Sequence, residues 1–269
     1  MINEKEWDKY ELYKGDCLEL MKDIPDKSVD MILCDLPYGT TACKWDTIIP
    51  FEPLWREYSR IIKNNGAIIL FAQQPFTSEL IHSNLNMFRH NLIWQKDKCA
   101  NFLHAKNQPR KMCEDIIVFS KKGSGFVHNS KNKCTYNPQL EDRKPRRATN
   151  KTKKSKNLRD IRPDNLVLQS GSDFKSDKNY PSNIVYFATE HFNRLHPTQK
   201  PVKLLEYLIK TYTNEEETVL DNCMGSGSTG VACLNTNRKF IGIEKDEKYF
   251  DIAKARIANT YKELNKEIS

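Results

Sequence analysis

Three features of the sequence predict an α/β fold built on a doubly wound, mostly parallel sheet. Short apolar runs, such as residues 29–34 and 67–71, have the length and continuity of strands that are buried on both faces. Segments with apolar residues at helical spacing separate these runs, and strands that alternate with helices form parallel sheets. A glycine-rich turn at residues 225–230 joins a predicted strand to a predicted helix. In such sheets, ligands bind beyond the carboxyl ends of the strands.

In the first half of the chain the predicted elements follow one another closely. Residues 10–14 alternate as a strand does, and a Gly-Asp turn then leads into a short amphipathic helix at 17–22. Apolar residues at helical spacing predict a helix over 51–63, which the Asn-Asn-Gly stretch at 64–66 ends. The other predicted elements of this half are strands at 29–34, 67–71, 88–94 and 114–119, and a helix at 75–85.

Regular α/β order breaks near residue 124 and resumes near residue 195. The intervening segment has no strong periodicity and is rich in Lys, Asn and Ser. The sequence therefore predicts two halves of one domain, residues 1–123 and 195–269, separated by a basic insertion at 124–194. The second half contains predicted helices at 200–212, 228–235 and 246–261, and predicted strands at 218–221 and 240–244.

Composition sets limits on the class of protein. The chain has 269 residues, 38% hydrophobic and 29% charged, which suits one sizeable α/β domain with an insertion. No apolar run approaches the roughly 18 residues of a membrane helix, and the first residues lack the apolar core of a signal peptide. The eight cysteines form no Cys-x-x-Cys pair. We therefore expect a cytoplasmic protein with reduced cysteines, no membrane association and no metal centre.

The first candidate site follows the strand at residues 29–34. It consists of Asp35, Leu36, Pro37 and Tyr38. Asp35 offers acceptor oxygens, Leu36 a backbone carbonyl directed by the fixed φ of Pro37, and Tyr38 a flat ring. Together these groups suit a planar heterocycle that carries an amino group. An ordinary strand end followed by a turn also explains these four residues. Their interpretation as a binding site therefore needs the support of a second motif.

The second candidate site lies between the predicted strand 218–221 and helix 228–235. Its glycines, 225, 227 and 230, match the G-x-G-x-x-G pattern, and Glu244 ends the next strand, where a carboxylate can hold ribose hydroxyls. The pattern fits either a dinucleotide or S-adenosylmethionine (SAM). Asp221, just before the glycines, would repel a pyrophosphate but favour an ammonium or sulfonium group. The sequence therefore favours SAM.

With both motifs in hand, the chain resembles the β class of amino-methylating DNA methyltransferases. The resemblance covers roughly residues 10–122 and 195–261, with the catalytic motif before the insertion and the glycine turn after it. It implies a Rossmann-like methyltransferase fold in circularly permuted motif order. The matching segments are Gly15-Asp16, residues 35–38, 92–96, 114–121, 196–201, 221–230 and 242–246.

The resemblance assigns roles to individual residues. Asp35 and the Leu36 carbonyl would accept the amino hydrogens of an adenine flipped out of the duplex, and Tyr38 would stack on it. Leu36 departs from the family, which usually has proline there, but it acts through its carbonyl, so we expect activity to survive. Glu244 would hold the SAM ribose. Asp35 is also expected to contact the cofactor. The other expected cofactor-binding residues are Asp16, Cys17, His196, Thr198, Gln199, Lys200, Asp221, Cys223, Gly225, Ser226, Gly227 and Ser228.

The basic insertion occupies the position of the family's target-recognition region. Charge runs are often only solvated loops, but beside a methyltransferase core they favour contacts with DNA phosphates. The expected DNA-binding residues are Arg143, Lys144, Arg146, Arg147, Lys151, Lys153 and Lys154.

The sequence thus predicts a DNA adenine-N6 methyltransferase. Cytosine N4, RNA or a protein amide stay open as alternative targets of methylation. The protein is also a possible homodimer. A DNA- or nucleotide-binding protein without transfer activity, or an NAD enzyme, is the alternative from a different class.

Overall fold

The computed structural model describes residues 4–7, 9–39, 47–100, 102–122, 133–142, 178–190 and 199–268. By their Cα positions the residues group into two compact units. One comprises Met1–Asn137 with Ser182–Ser269, and the other Pro138–Pro181. The first unit carries the large sheet and the helices. Among the described residues, every helix is too short or too polar to span a bilayer.

Nine strands of the described chain form the large sheet of the first unit. Their order across the sheet is β1-β2-β11-β10-β3-β4-β6-β5-β9. The two remaining strands, β7 and β8, pair with each other as a short antiparallel ribbon in the second unit. The strands are β1 Glu4–Trp7, β2 Tyr10–Lys14, β3 Val29–Cys34, β4 Ile62–Ala72, β5 Phe88–Ala100, β6 Lys111–Phe119, β7 Glu141–Asp142, β8 Lys178–Asn179, β9 Ile184–Tyr186, β10 Thr218–Asp221 and β11 Lys239–Glu244.

Helices cover both faces of this sheet. One core layer lies against α4, α5 and α6, and contains Met31 and Leu33 of β3; the other lies against α1, α2 and α3, and contains Ile32 and Cys34. Because both faces of β3 are buried, its sequence is apolar at every position but Asp30 rather than alternating. The helices are α1 Cys17–Leu20, α2 Phe51–Ile61, α3 Phe76–Ser83, α4 Val202–Tyr212, α5 Ser228–Asn235 and α6 Glu247–Ile268, with short 3-10 turns at Met21–Asp23 and Phe102–His104.

The central strands place three acidic residues at one edge of the sheet. Strands β2, β11, β10, β3 and β4 are parallel, so their carboxyl ends lie together. Asp35 follows β3, and Asp221 and Glu244 end β10 and β11. The connections leave β3 toward β4 on one side and run from β10 toward β11 on the other. This reversal creates the crevice in which doubly wound sheets bind ligands.

The predicted fold class is confirmed, and several elements have the predicted bounds, among them β2, β3, β10 and α5. Other bounds differ. Strand β4 begins at Ile62 and not at residue 67, because Ile62 pairs with Val29 and Lys63 forms an ion pair with Asp30 at 2.7 Å. The sheet edge is not purely parallel either, since β6 is antiparallel to both β4 and β5.

The flanks of the predicted insertion belong to the first unit. The Thr135 amide donates to the Asn65 carbonyl at 2.9 Å, and the Asn137 amide to that of Thr211 at 2.7 Å. Strand β9, which the sequence pattern missed, pairs in parallel with β5. The second unit is thus shorter than residues 124–194, and the insertion's role in target recognition stays a prediction.

Candidate active site

A cavity of about 580 Å³ opens at the carboxyl edge of the sheet, and both sequence motifs line it. This volume lies within the roughly 300–1,000 Å³ typical of small-molecule sites. Two stretches far apart in the chain therefore face one space. The predicted site residues that line it are Asp16, Cys17, Asp35, Leu36, Pro37, Tyr38, Gln199, Lys200, Asp221, Cys223, Gly225, Ser226, Ser228 and Glu244.

The carboxylate of Asp35 is held by two partners. The Tyr38 hydroxyl donates to Oδ1 at 2.7 Å, and the Lys200 ammonium lies 2.5 Å from Oδ2. The Tyr38 ring is stacked on Phe76, with centroids 5.1 Å apart and planes 27° apart. Burial, followed by the charge of Asp35, raises the pKa of the Tyr38 hydroxyl well above its ordinary value, so it stays a donor. These contacts fix both the acid and the aromatic ring at the end of β3.

Lys200 connects Asp35 to a second partly buried acid, Glu114 on β6. Its ammonium lies 3.4 Å from Glu114 Oε2 and 4.9 Å from the centroid of the Phe71 ring, and Lys96 pairs with the same glutamate. Burial acts to lower the pKa of Lys200, but the two carboxylates outweigh it and hold that pKa above its ordinary value. Burial likewise acts to raise the pKa of Glu114, which its lysines instead hold low. Lys200 therefore stays charged against Asp35.

This network is the part of the site that sequence reasoning missed. Lys200 was expected to contact the cofactor, and it does line the cavity, but its ion pairs are with Asp35 and Glu114. Glu114 and Lys96 carried no role in the sequence analysis. Both are only 13–15% exposed, and charged side chains buried to this degree need partners, but nothing local in the sequence indicates their burial.

The glycine turn is organised by two carboxylates. Asp221 is buried and accepts from the Thr229 hydroxyl at 2.6 Å and the Cys223 amide at 3.1 Å. Glu244 accepts from the Gly225 amide at 2.8 Å and from that of Asp246, also at 2.8 Å. Burial raises the pKa of Glu244 above its ordinary value despite these donors. Backbone amides thus fix the glutamate at the end of β11.

Gly225 and Gly227 differ in what they contact. Both have positive φ, 52° and 77°, which side chains rarely adopt. Gly225 lines the cavity, whereas Gly227 does not. A Cβ on Gly227 would lie 3.0 Å from that of Ala253, so its small size allows close packing against α6. Its expected contact with a cofactor stays a prediction.

Asp16 also lines the cavity, between β2 and the start of α1. Its Oδ1 accepts from the Leu18 amide at 3.0 Å, which caps the helix, and Lys245 donates to Oδ2 at 3.1 Å. The preceding Gly15 amide donates to the Glu244 carbonyl at 2.9 Å. Although burial opposes it, the hydrogen bond from Lys245 holds the pKa of Asp16 below its ordinary value. The acid is thus ionised beside Glu244.

Gln199 and Ser226 close the cavity from the side of α4. The Ser226 hydroxyl donates to Gln199 Oε1 at 3.2 Å, and the Gln199 amide donates to Glu190. Glu190, which the sequence analysis did not single out, also accepts from the Val202 amide at 3.0 Å and so caps α4. His196, Thr198 and the seven basic residues expected to bind DNA lie outside the described residues.

The thiols of the site are not set up for nucleophilic attack. Burial raises the pKa of Cys34 to about 12, and a hydrogen bond with Cys223, together with burial, raises that of Cys17 further. A thiol, unlike a thiolate, is a weak nucleophile. Within the described part of the chain, His, Cys, Asp and Glu form no group of three arranged to hold a metal ion.

Asp221 makes the stability of the folded chain depend on pH. Burial raises its pKa from 3.8 to about 7, against the hydrogen bond from Thr229. A carboxyl with a raised folded pKa contributes stability below its ordinary pKa that is lost as pH rises through the folded value. We expect Asp221→Asn to lack this loss. The free energy of unfolding of the variant, relative to wild type, should then rise by up to about 4 kcal/mol between pH 4 and pH 8.

Urea titrations of both proteins at several pH values measure that difference. A difference that stays constant with pH would show that the pKa of Asp221 is the same in the folded and unfolded chain, and would contradict the raised value.

At the carboxyl edge of this doubly wound sheet, the acid–aromatic motif at residues 35–38 and the glycine turn line one cavity. This combination is typical of enzymes that bind a nucleotide-like cofactor. Comparison with known proteins identifies the family. The model of the N6_N4_Mtase family, described as DNA methylase, matches residues 29–255. The chain belongs to this family and is a SAM-dependent DNA methyltransferase.

Individual relatives extend the match to most of the chain. It is 26% identical to Type II methyltransferase M.HpaI of Haemophilus parainfluenzae, over 92% of this chain and 74% of the relative. It is 28% identical to DNA adenine methyltransferase YhdJ of Escherichia coli (strain K12), over 90% of this chain and 81% of the relative.

Solved structures share the fold. The M1.HpyAVI–SAM complex has a TM-score of 0.59 at 23% identity, over 92% of this chain and 98% of the other. PvuII DNA methyltransferase (cytosine-N4-specific) has a TM-score of 0.63 at 14% identity, over 95% and 92%.

Proposed function

We propose that this chain transfers the methyl group of SAM to the N6 amino group of adenine in DNA, at a specific sequence and on a base flipped out of the duplex. The observation that carries the proposal is the single cavity in which Asp35, fixed by Tyr38 and Lys200, faces the glycine turn. The named adenine methyltransferase among the relatives supports adenine as the target.

The chemistry follows from what Asp35 and its neighbours can do to an amino group. The nitrogen of adenine N6 is a poor nucleophile because its lone pair is delocalised into the ring. Asp35 and the carbonyl of buried Leu36 would accept its two hydrogens and so favour a pyramidal nitrogen with a localised lone pair. The Lys200 ammonium and the Tyr38 hydroxyl hold the Asp35 side chain in place, and the Tyr38 ring would hold the base by stacking. Fixed orientation then removes much of the entropic barrier.

The residues on the other side of the cavity fit SAM by their chemistry. SAM supplies an electrophilic methyl group on a sulfonium. Asp221 offers a carboxyl group whose ionised form the positive charge of SAM would favour, Glu244 offers carboxylate oxygens to the ribose hydroxyls, and Asp16 offers an acceptor to the adenine amino group. We propose that these three residues hold the cofactor. The shape of the cleft around them comes from Cys17, Gln199, Cys223, Gly225, Ser226 and Ser228.

Extraction of the base is part of the proposal, because a base inside the stack cannot reach a cavity at the sheet edge. Unstacking costs a few kcal/mol, which stacking on an aromatic ring and phosphate contacts offset. The basic residues between 143 and 154 would supply phosphate contacts, and the homodimer stays a prediction for measurement in solution.

Nucleoside analysis tests the proposed function. Purified protein is incubated with methyl-labelled SAM and unmethylated genomic DNA, and the DNA is then digested to nucleosides. We expect the label in N6-methyldeoxyadenosine. Label in N4-methyldeoxycytidine would show that the target is cytosine and not adenine. If SAM binds in calorimetry but the DNA carries no label, methyl transfer to DNA is contradicted. Sequencing of the methylated DNA then gives the recognition sequence.

A further inference from the structure

A long hairpin projects from the sheet at the edge that carries the active site. It consists of residues 96–100 and 102–114, the outer parts of β5 and β6 with the described part of their connection, and is called here the edge hairpin. Asp115 of β6 pairs with Ala72, the last residue of β4, but β6 begins four residues earlier at Lys111, which pairs with Ala100. At about 3.3 Å per residue, the hairpin extends roughly 13 Å beyond the end of β4 before its connection begins.

The base of the edge hairpin is joined to the catalytic network. Glu114 contacts Lys200, which contacts Asp35. Three residues further out, the Lys111 ammonium donates to Gln73 Oε1 at 2.9 Å, just past the end of β4. The position of the hairpin is therefore fixed relative to Asp35.

The connection of the edge hairpin exposes two large apolar side chains. Leu103 is 80% exposed, the highest value among the large hydrophobic residues described, and Phe102 is 71% exposed. Removal of such a side chain from water is favourable, so an exposed position needs a reason. Two neighbouring apolar groups on a projecting tip are thus typical of a binding element.

The edge hairpin also carries exposed basic residues. Lys98, Lys106 and Arg110 are exposed on the same hairpin. The nearby acid, Asp97, accepts from the Thr189 hydroxyl at 2.8 Å. A basic surface with an apolar tip matches a polyanion that also offers an apolar interior, and a DNA duplex has both.

We propose that Phe102 and Leu103 enter the duplex beside the target base and fill the space that the extruded base leaves, while Lys98, Lys106 and Arg110 bind the flanking phosphates. Apolar wedges of this kind separate base steps in other DNA complexes. The proposal rests on the proposed function, because it requires a base that leaves the duplex to reach Asp35. It assigns the opening of the duplex to the edge hairpin and the chemistry to the cavity.

A double variant, Phe102→Ala with Leu103→Ala, tests this role. Both side chains are exposed, so we expect the variant to fold. On duplex DNA its kcat/KM should fall about 10- to 100-fold, the effect of losing one or two stacking contacts. On a single strand of the same sequence, where nothing has to be opened, it should equal wild type. A duplex with 2-aminopurine at the target position should show the fluorescence increase of an unstacked base with wild type, and a much smaller one with the variant.

Two controls complete the experiment. Leu85→Ala removes an apolar side chain that is 59% exposed but precedes β5 at the opposite edge of the sheet, and it should match wild type in every assay. The conservative pair Phe102→Tyr with Leu103→Met should retain activity on the duplex. If the kcat/KM of the double alanine variant falls equally on duplex and single-stranded DNA, or falls on neither, the proposed role of Phe102 and Leu103 is overturned. A wild-type protein that methylates neither substrate would instead contradict the proposed function.

Discussion

Asp35→Ala is expected to lower the rate of methyl transfer by at least about 10²–10³-fold while the protein still folds and binds SAM. Preorganised groups aimed at the reacting atoms typically contribute this much. The change removes the acceptor that would draw the amino hydrogens out of the plane of the base. It does not touch Asp221, Glu244 or Asp16 on the cofactor side. Single-turnover rates on methylatable DNA and SAM affinity by calorimetry give the two readouts.

Asp35→Asn serves as the matched variant, because it keeps the shape of the side chain and removes only the charge. It should also be strongly impaired, since an amide offers one acceptor oxygen in place of two. Methylation at the wild-type rate by the alanine variant would exclude Asp35 from the reaction. A variant that loses SAM affinity and transfer together would place Asp35 on the cofactor instead.

Lys200→Met is expected to cause the second large effect. The methionine fills much of the same space but leaves Asp35 and Glu114 together without the ammonium between them. Breaking a buried ion pair by removing one partner costs about 3–5 kcal/mol of stability. Because both acids remain 13–23% exposed, we expect about 3 kcal/mol at pH 7. The rate of methyl transfer should fall about 100-fold, because the carboxylate of Asp35 is no longer fixed.

The double variant Lys200→Met with Asp35→Asn separates positioning from cofactor binding. If Lys200 acts through Asp35, the double variant should be no slower than the slower single variant and more stable than Lys200→Met, since contacting residues are not additive. SAM affinity should change less than threefold in all three. A loss of SAM affinity in Lys200→Met alone would instead support the cofactor-binding role that the sequence predicts for this lysine.

The sequence predicted the strands that position the site because their signal is local. Strand β3 is apolar at every position but Asp30, and β10 and α5 enclose a glycine turn with its own pattern. Both motifs could be assigned to one edge of the sheet because parallel strands that alternate with helices end at the same edge.

What the sequence did not predict depends on pairing between distant segments. Strand β9 is three residues long and is a strand only because β5 lies beside it. The outer parts of β5 and β6 are polar and exposed, so no periodicity marks them. The contact of Lys200 with Asp35 joins residues 165 positions apart, and nothing local to either residue indicates it.

The central claim is that one cavity receives both the target base and the cofactor. Photo-crosslinking tests it most directly, with a duplex that carries 5-iodouracil in place of the target adenine, followed by mass spectrometry of the linked peptide. With SAM bound, we expect a crosslink to Tyr38. A duplex that binds with the same affinity but crosslinks only to residues away from the cavity would contradict the claim.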